Sequence, residues 1–224
     1  MPRIARLCAV GYPHHITQRG NNRDKVFFDD EDKGFYLNTL QRYKDKYEIK
    51  ILAYCLMGNH IHILAVPEKE VSLARGIGGT NLVYTQYINQ KYGRSGRLWQ
   101  NRFFSSVIEE DPYLWAAMRY IEQNPVRANL VRGAEDYQWS SARAHVLGVR
   151  DEVISDESRF SEKEIKAYKE FIGRDAKEIN DAIRRATSTG RPLGSEGFIK
   201  KLERILDREL FPMKGGRPKK KKSA

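Results

Sequence analysis

The sequence predicts an α+β fold in which an antiparallel sheet carries helices on one face. The first observation is the order of apolar patterns, which reads strand, helix, strand, strand, helix, strand, helix. The second is a change of character beyond about residue 147, where short charged helices follow. The first six elements match a βαββαβ ferredoxin-like unit. A small helical C-terminal region and a basic tail complete the predicted architecture.

The first half of the chain provides three strands and one helix. Residues 12–18 predict a strand, which turn residues at 20–23 end. Residues 30–47 carry apolar and aromatic side chains at helical spacing. Residues 49–57 and 60–66 are apolar strands separated by a Gly-Asn dipeptide, which indicates a hairpin.

The next three elements complete the unit and add a helix. Residues 71–92 predict a helix whose glycines weaken its first turns, and residues 103–108 predict a strand. Asp111 followed by Pro112 is a favourable helix start, and Pro125 disfavours its continuation.

The C-terminal part of the chain differs from the rest in amino-acid composition. Helices are predicted over residues 161–172 and 196–210, separated by a Gly-Arg-Pro segment. We therefore divide the chain into residues 1–148, which hold the sheet, a helical region at 149–211 and a disordered basic tail at 212–224.

The charge indicates a polyanionic partner. The chain has 40 Lys and Arg against 29 Asp and Glu, a net charge of +11, and each neutralised phosphate of a nucleic acid releases counterions. Six of these charges lie in the acid-free tail, where Arg217 and Lys219 belong to a Gly-Arg-Pro-Lys segment similar to the AT-hook core that follows a minor groove. The alternative is a nonspecific basic tail.

Several classes of protein are disfavoured. Two cysteines, Cys8 and Cys55, give no disulfide framework and no cysteine-based metal site. No apolar run reaches the roughly 18 residues that span a bilayer, and the N-terminus lacks the apolar stretch of a secretory signal. We therefore expect a cytoplasmic, nucleoid-associated protein with no membrane partner.

Two histidines on one strand are the first candidate for chemistry. Alternation places His60 and His62 on one face of the strand and Ile61 on the other. Two neutral imidazoles at this spacing can share a metal ion. The alternative is a pair of ordinary polar residues on a solvent face. His14, His15 and His145 are assigned mainly to structure, although His15 could approach the site.

A tyrosine on the last predicted helix of the sheet domain is the second candidate. Tyr120 and Asn124 are four residues apart and would project from one helix face. The Asn124 amide oxygen could then complete a metal site with the two histidines, and a bound cation would activate a phenol that is a weak nucleophile at its usual pKa of about 10. The alternative is that Tyr120 is a core residue.

Several motifs in order resemble one family. These are residues 57–64 (MGNHIHIL), 96–103 (GRLWQNRF) and 119–128 (RYIEQNPVRA), supported by 15–23 (HITQRGNNR) and 137–141 (YQWSS). They resemble the HUH single-tyrosine transposases of the IS200-like family, and in particular the REP-associated tyrosine transposases. The resemblance covers roughly residues 10–148, with a weaker echo at residues 189–195.

The resemblance implies a mechanism. His60 and His62 would bind Mg²⁺ or Mn²⁺, and Tyr120 would cut single-stranded DNA beside a palindromic hairpin, forming a 5′-phosphotyrosine and freeing a 3′-hydroxyl. Some relatives have Gln four residues after the tyrosine, whereas this chain has Asn124 there and Gln123 one residue earlier. Asn124 has the helical register for the third ligand. Relatives include monomers and swapped homodimers, so both states stay open.

The DNA contacts predicted in the folded part are cationic or aromatic. Arg23 lies in a turn with exposed amides, and Arg97, Trp99 and Arg102 interleave cations with an aromatic ring, a pattern suited to unpaired bases. Trp99 could instead be core. Arg127 is a candidate phosphate contact.

Two other functions remain open. A relaxase-like nickase would share the two histidines and often carries a second tyrosine, for which Tyr113 is the candidate, although we interpret it as packing. A catalytically silent DNA-binding repressor of palindromic repeats would have no need of the histidines and Tyr120 together.

Overall fold

The computed structural model describes residues 7–174 and 176–211 and confirms the predicted α+β class. The strands are His14–Arg19 (β1), Ile49–Met57 (β2), His60–Pro67 (β3) and Phe104–Val107 (β4). The helices are Asp30–Lys46 (α1), Ser72–Lys91 (α2), Glu110–Glu122 (α3), Asn124–Arg127 (α4), Ala142–Leu147 (α5), Glu162–Ile172 (α6), Lys177–Thr189 (α7) and Glu196–Leu206 (α8).

The four strands form one antiparallel sheet in the order β2-β3-β1-β4. The two central strands are in a register that places Thr17 opposite His62 and Arg19 opposite His60. Residues directly opposite each other in an antiparallel pair share a face. The histidines therefore lie near the centre of the sheet, on the same face as the odd-numbered residues of β1.

The two faces of the sheet are covered by different helices. Helices α1 and α2 pack on one face, as the βαββαβ order predicts, and bury Ile16, Ile61 and Ile63 completely. Helix α3 and the helices that follow it cover the opposite face, where Leu64 is buried against a second core cluster. Strand alternation thus directs the isoleucines of β3 into one core and its histidines toward α3.

The C-terminal region packs on the sheet rather than apart from it. Tyr168 of α6 and Ile183 of α7 are fully buried in the cluster beneath α3. Phe198 and Leu202 of α8 form a third cluster with the chain segment before β1. Within the described ranges, every helix is too short or too polar to cross a bilayer.

A buried carboxyl group holds α3 in place. Glu122, which has no exposed surface, accepts hydrogen bonds at Oε1 from Ser141 Oγ (2.5 Å) and His145 Nδ1 (2.6 Å). Its Oε2 accepts from the Tyr168 hydroxyl at 2.8 Å. These partners come from the loop before α5, from α5 and from α6. One residue of α3 therefore connects the end of that helix to three later segments.

His14 is buried with both ring nitrogens bonded. Its Nε2 accepts from the Ala9 backbone N–H at 3.1 Å, and its Nδ1 lies 2.8 Å from the Tyr12 carbonyl, to which it donates. Burial lowers the pKa of His14 to about 4, partly opposed by the hydrogen bond to Tyr12. The imidazole is thus neutral in the folded protein at neutral pH.

His14 should make the protein less stable in mild acid. The unfolded chain protonates this residue below about pH 6.5, whereas the folded chain does so only near pH 4, so the free energy of unfolding falls as pH decreases between these values. His14 alone should account for a loss of about 2 kcal/mol between pH 7.5 and pH 5. Urea unfolding at both pH values checks this. In His14→Gln, the decrease in the free energy of unfolding between the two pH values should be smaller by about 2 kcal/mol. A decrease equal to that of the wild type would show that His14 is not its source.

Candidate active site

The two histidines of β3 point toward α3 on the same face of the sheet. The ring centroids of His60 and His62 are 5.1 Å apart, with an interplanar angle of 84°. Burial lowers the pKa of His60 to about 4, with Arg19 contributing, and lowers the pKa of His62 well below its usual value. Both rings are therefore neutral at pH 7 and each retains one nitrogen lone pair.

The lone pair of His60 can be assigned to one nitrogen. His60 Nδ1 lies 2.6 Å from Asn59 Oδ1. An amide oxygen only accepts hydrogen bonds, so Nδ1 carries the proton and donates. Nε2 is then the unprotonated nitrogen of His60, as a metal ligand requires.

Tyr120 lies over the same histidines in its own chain. The centroid of its ring is 5.8 Å from that of His62 and 5.5 Å from that of His15, both in edge-on geometry. Only 6% of Tyr120 is exposed, but its ring lines the cavity that contains the histidines. The guanidinium of Arg127 lies 4.7 Å from the centre of the Tyr120 ring. Tyr120 is also a buried member of the second core cluster, against which Tyr113 packs seven residues earlier, but Tyr113 does not line the cavity.

A cavity of about 430 Å³ joins these groups. Its floor is formed by β1 and β3, and one wall is formed by Tyr120. Arg19 and Gln100 are linked at its rim, because the guanidinium donates to Gln100 Oε1 at 3.0 Å. The lining residues are His15, Thr17, Gln18, Arg19, Arg23, Asn59, His60, His62, Gln100, Phe104, Tyr120, Arg184, Thr187 and Ser188.

Helix α7 supplies a wall that the sequence analysis did not predict. Arg184, Thr187 and Ser188 of this helix line the cavity. A signal was present, because Ile179, Ile183 and Ala186 follow helical spacing and turn inward, where Ile183 is fully buried. These three cavity residues were therefore missed together with the element that carries them.

Asn124 is close in sequence to Tyr120 but is not among the residues that line the cavity. Its amide nitrogen donates to the carbonyls of Tyr120 and Ile121, at 3.0 and 3.1 Å. The amide oxygen is thus the atom that could bind an ion. In the described part of the chain, no group of three or more His, Cys, Asp or Glu side chains is arranged for a metal. Two imidazoles alone would leave most coordination positions of an ion open.

The predicted DNA-binding residues fall in three places. Arg23 lines the cavity of the histidines. Arg97 and Arg102 line a neighbouring groove of about 510 Å³, which shares Gln18 with that cavity. Arg127 donates to the Tyr120 carbonyl and covers its ring. Arg217 and Lys219 lie outside the described residues.

Trp99 is largely buried. It is only 5% exposed, its ring packs edge-on against Tyr36, and its Nε1 donates to the Asn81 carbonyl at 3.2 Å. Trp99 also belongs to the lining of the groove that Arg97 and Arg102 share. Its burial fits the alternative of a core residue, and its stacking on an unpaired base stays a prediction.

Comparison with known proteins finds a similar sequence and a similar fold. A protein of Haemophilus influenzae described as a REP-associated tyrosine transposase is 26% identical over 148 residues, which cover 58% of this chain and 84% of that protein. A solved structure of a REP-associated tyrosine transposase bound to a REP hairpin matches with a TM-score of 0.55 at 18% identity. It covers 72% of this chain and 96% of that one, and it supports the fold.

The family model described as "Transposase IS200 like" matches residues 9–124, slightly more than half of the chain. The matched segment begins before β1 and ends at Asn124, so it contains the two histidines and Tyr120. The chain therefore belongs to the IS200-like transposase family and is a transposase.

Proposed function

We propose that this transposase is a metal-dependent endonuclease and strand transferase that cuts single-stranded DNA beside a hairpin through a covalent 5′-phosphotyrosine. The observation that carries the proposal is the convergence of Tyr120 with His60 and His62 on one cavity within one chain. A DNA-binding protein without catalytic activity would have no need of this convergence.

His60 and His62 would hold a divalent ion, Mg²⁺ or Mn²⁺. Their donor set fits this role because both rings are neutral and share a cavity open to further ligands. The Asn124 amide oxygen is the protein group proposed as third ligand. When bound, the ion would act as a Lewis acid on the scissile phosphate, its charge undiminished because imidazole and amide ligands are neutral. Mg²⁺ prefers oxygen ligands, so Mn²⁺ is the better probe of an imidazole site.

Tyr120 would be the nucleophile. Its phenol loses a proton, the Oη–P bond forms, and the bond from phosphorus to the 3′ oxygen breaks, so that this oxygen leaves as a protonated 3′-hydroxyl. The guanidinium of Arg127 lies 4.7 Å from the ring centre and holds the ring by a cation–π contact. The phosphotyrosine ester retains much of the free energy of the phosphodiester that was cut, so a 3′-hydroxyl can attack it and rejoin DNA without ATP.

The cationic residues near the cavity would guide the strand. Arg23 and Arg184 line the cavity itself and are proposed to hold phosphates on either side of the cut. Arg97 and Arg102 line the adjacent groove and are proposed to contact unpaired bases and their phosphates. Arg217 and Lys219 would add nonspecific affinity from the tail. Hairpin DNA is the proposed substrate because the similar solved transposase is bound to a hairpin.

A denaturing gel tests this function. Single-stranded hairpin DNA, labelled at either end, is incubated with protein and Mn²⁺ or with EDTA. Attack with loss of the 3′ oxygen leaves the protein on the downstream fragment, so the 3′ label should migrate with the protein and the 5′ label should be released. EDTA should abolish both products. Binding without cleavage would favour the repressor, and an adduct carrying the 5′ label would contradict the proposed polarity.

A further inference from the structure

A buried imidazole lies between the cavity and helix α7. His15 is 1% exposed and its ring lies nearly parallel to that of His62, with centroids 5.1 Å apart and an interplanar angle of 9°. His15 Nε2 lies 2.9 Å from His62 Nδ1, and His15 Nδ1 lies 2.6 Å from Thr187 Oγ1. Both nitrogens of His15 are thus engaged, so this third histidine has no lone pair free for an ion.

A backbone carbonyl sets the direction of this chain of hydrogen bonds. The Thr187 hydroxyl donates its one proton to the Ile183 carbonyl at 2.9 Å. Thr187 Oγ1 must therefore accept from His15 Nδ1–H. A neutral imidazole has one N–H and one lone pair, so His15 Nε2 accepts from His62 Nδ1–H. The unprotonated nitrogen of His62 is then Nε2.

The opposite direction would disable His62 as a ligand. If the Thr187 hydroxyl donated to His15, then His15 Nε2–H would donate to His62 Nδ1, and His62 would carry its proton on Nε2. The hydrogen bond to Ile183 would also be lost. The orientation of one hydroxyl on α7 therefore decides which nitrogen of His62 is free.

We propose that Thr187 and His15 are positioning residues that fix the ring orientation and tautomer of His62 so that its Nε2 can bind the divalent ion. The inference rests on the proposed function insofar as it assigns the ion to His62. Helix α7 lies beyond residues 9–124, which the family model matches. The inference therefore assigns a role in the metal site to an element outside that match. Hydrogen-bond partners of this kind usually raise metal affinity by orienting the ligand.

Mn²⁺ alone is the probe for the first test. Isothermal titration of the metal-free full chain should show affinity about 10- to 100-fold weaker in Thr187→Val, the range typical for loss of such a partner. Thr187→Ser retains a hydroxyl and should bind within about threefold of the wild type. Thr189→Val is the matched control, because the hydroxyl of this exposed residue of α7 donates to the Arg185 backbone carbonyl and does not line the cavity. It should leave the affinity unchanged, and near-ultraviolet circular dichroism checks that each variant is folded.

Nitrogen-15 NMR of the histidine rings in the metal-free protein is the second test. We expect His62 to be protonated at Nδ1 in the wild type, Thr187→Ser and Thr189→Val, and to show mixed tautomers in Thr187→Val. A His62 protonated at Nε2 in the wild type, or an unchanged tautomer and Mn²⁺ affinity in Thr187→Val, would overturn the inference. If the wild type binds no Mn²⁺, the metal-dependent function fails, whereas the NMR spectra still decide whether α7 sets the tautomer.

Discussion

Replacing Tyr120 by Phe should abolish the covalent protein–DNA adduct and reduce strand cleavage by at least about three orders of magnitude. The change removes only the hydroxyl, and the aromatic ring should keep its contacts with His15, His62 and Arg127. Affinity for uncut hairpin DNA should therefore stay within about threefold of the wild type. Single-turnover cleavage and a binding titration in Mn²⁺ measure the two quantities.

Tyr113→Phe is the control for this substitution. Tyr113 precedes Tyr120 on α3 and packs against the second core cluster outside the cavity of the histidines. Its variant should form the adduct at the rate of the wild type. If cleavage were instead lost in Tyr113→Phe and retained in Tyr120→Phe, Tyr113 would be the nucleophile. That result would favour the relaxase-like nickase.

Replacing Glu122 by Ala should reduce the free energy of unfolding by on the order of 3–5 kcal/mol. The substitution leaves the Tyr168 hydroxyl and the Nδ1 of His145 without their acceptor in a fully buried position. The Ser141 hydroxyl loses its shorter hydrogen bond and keeps only the Tyr54 carbonyl, at 3.3 Å. It also creates a cavity between α3, α5 and α6. Urea denaturation followed by tyrosine and tryptophan fluorescence measures the change.

Glu170→Ala provides the matched comparison on the surface. Glu170 is exposed on α6, and its replacement should change the free energy of unfolding by less than about 0.5 kcal/mol. Tyr168→Phe, which removes a single donor to Glu122, should fall between the two at about 1–2 kcal/mol. If Glu122→Ala were no more destabilising than Glu170→Ala, the hydrogen bonds to Glu122 would not stabilise the position of α3.

The sheet could be predicted because its signals are local. The bounds of β2 are those predicted, since an apolar run ends at the Gly-Asn turn that opens β3. Helix α1 begins at Asp30 as predicted and is stabilised by a capping box between Asp29 and Asp32. Helix α3 is bounded at Glu110, one residue before the predicted cap, but Asp111 within it has an extended backbone, so the regular turns follow from Pro112.

The contacts between distant segments could not be predicted. Helix α7 was missed because its apolar face is narrow and polar residues fill the rest of its length. Its place beside β1 depends on the burial of Ile183 against α3 and not on a local motif. The relation between His15 and Thr187, 172 residues apart, follows only from that packing.

Part of the candidate site could be predicted from the sequence. Period-2 alternation was enough to place His60 and His62 on one face, because the strand is regular through both residues. Helical register brought Tyr120 and Asn124 to neighbouring positions, but it did not show that the Asn124 amide bonds to its own helix. Trp99 was ambiguous because an aromatic residue between arginines fits either a core or a stacking platform until its burial is known.

Peptide mapping of the DNA adduct identifies the residue that attacks the phosphate. The adduct formed on a hairpin in Mn²⁺ is trimmed with nuclease, digested with protease and sequenced by tandem mass spectrometry. We expect a nucleotide attached through its 5′ phosphate to Tyr120, and no such product when His60 and His62 are both replaced by Ala. A nucleotide on any other residue, or one on Tyr120 that persists without the two histidines, would contradict a shared site for the imidazoles and the phenol.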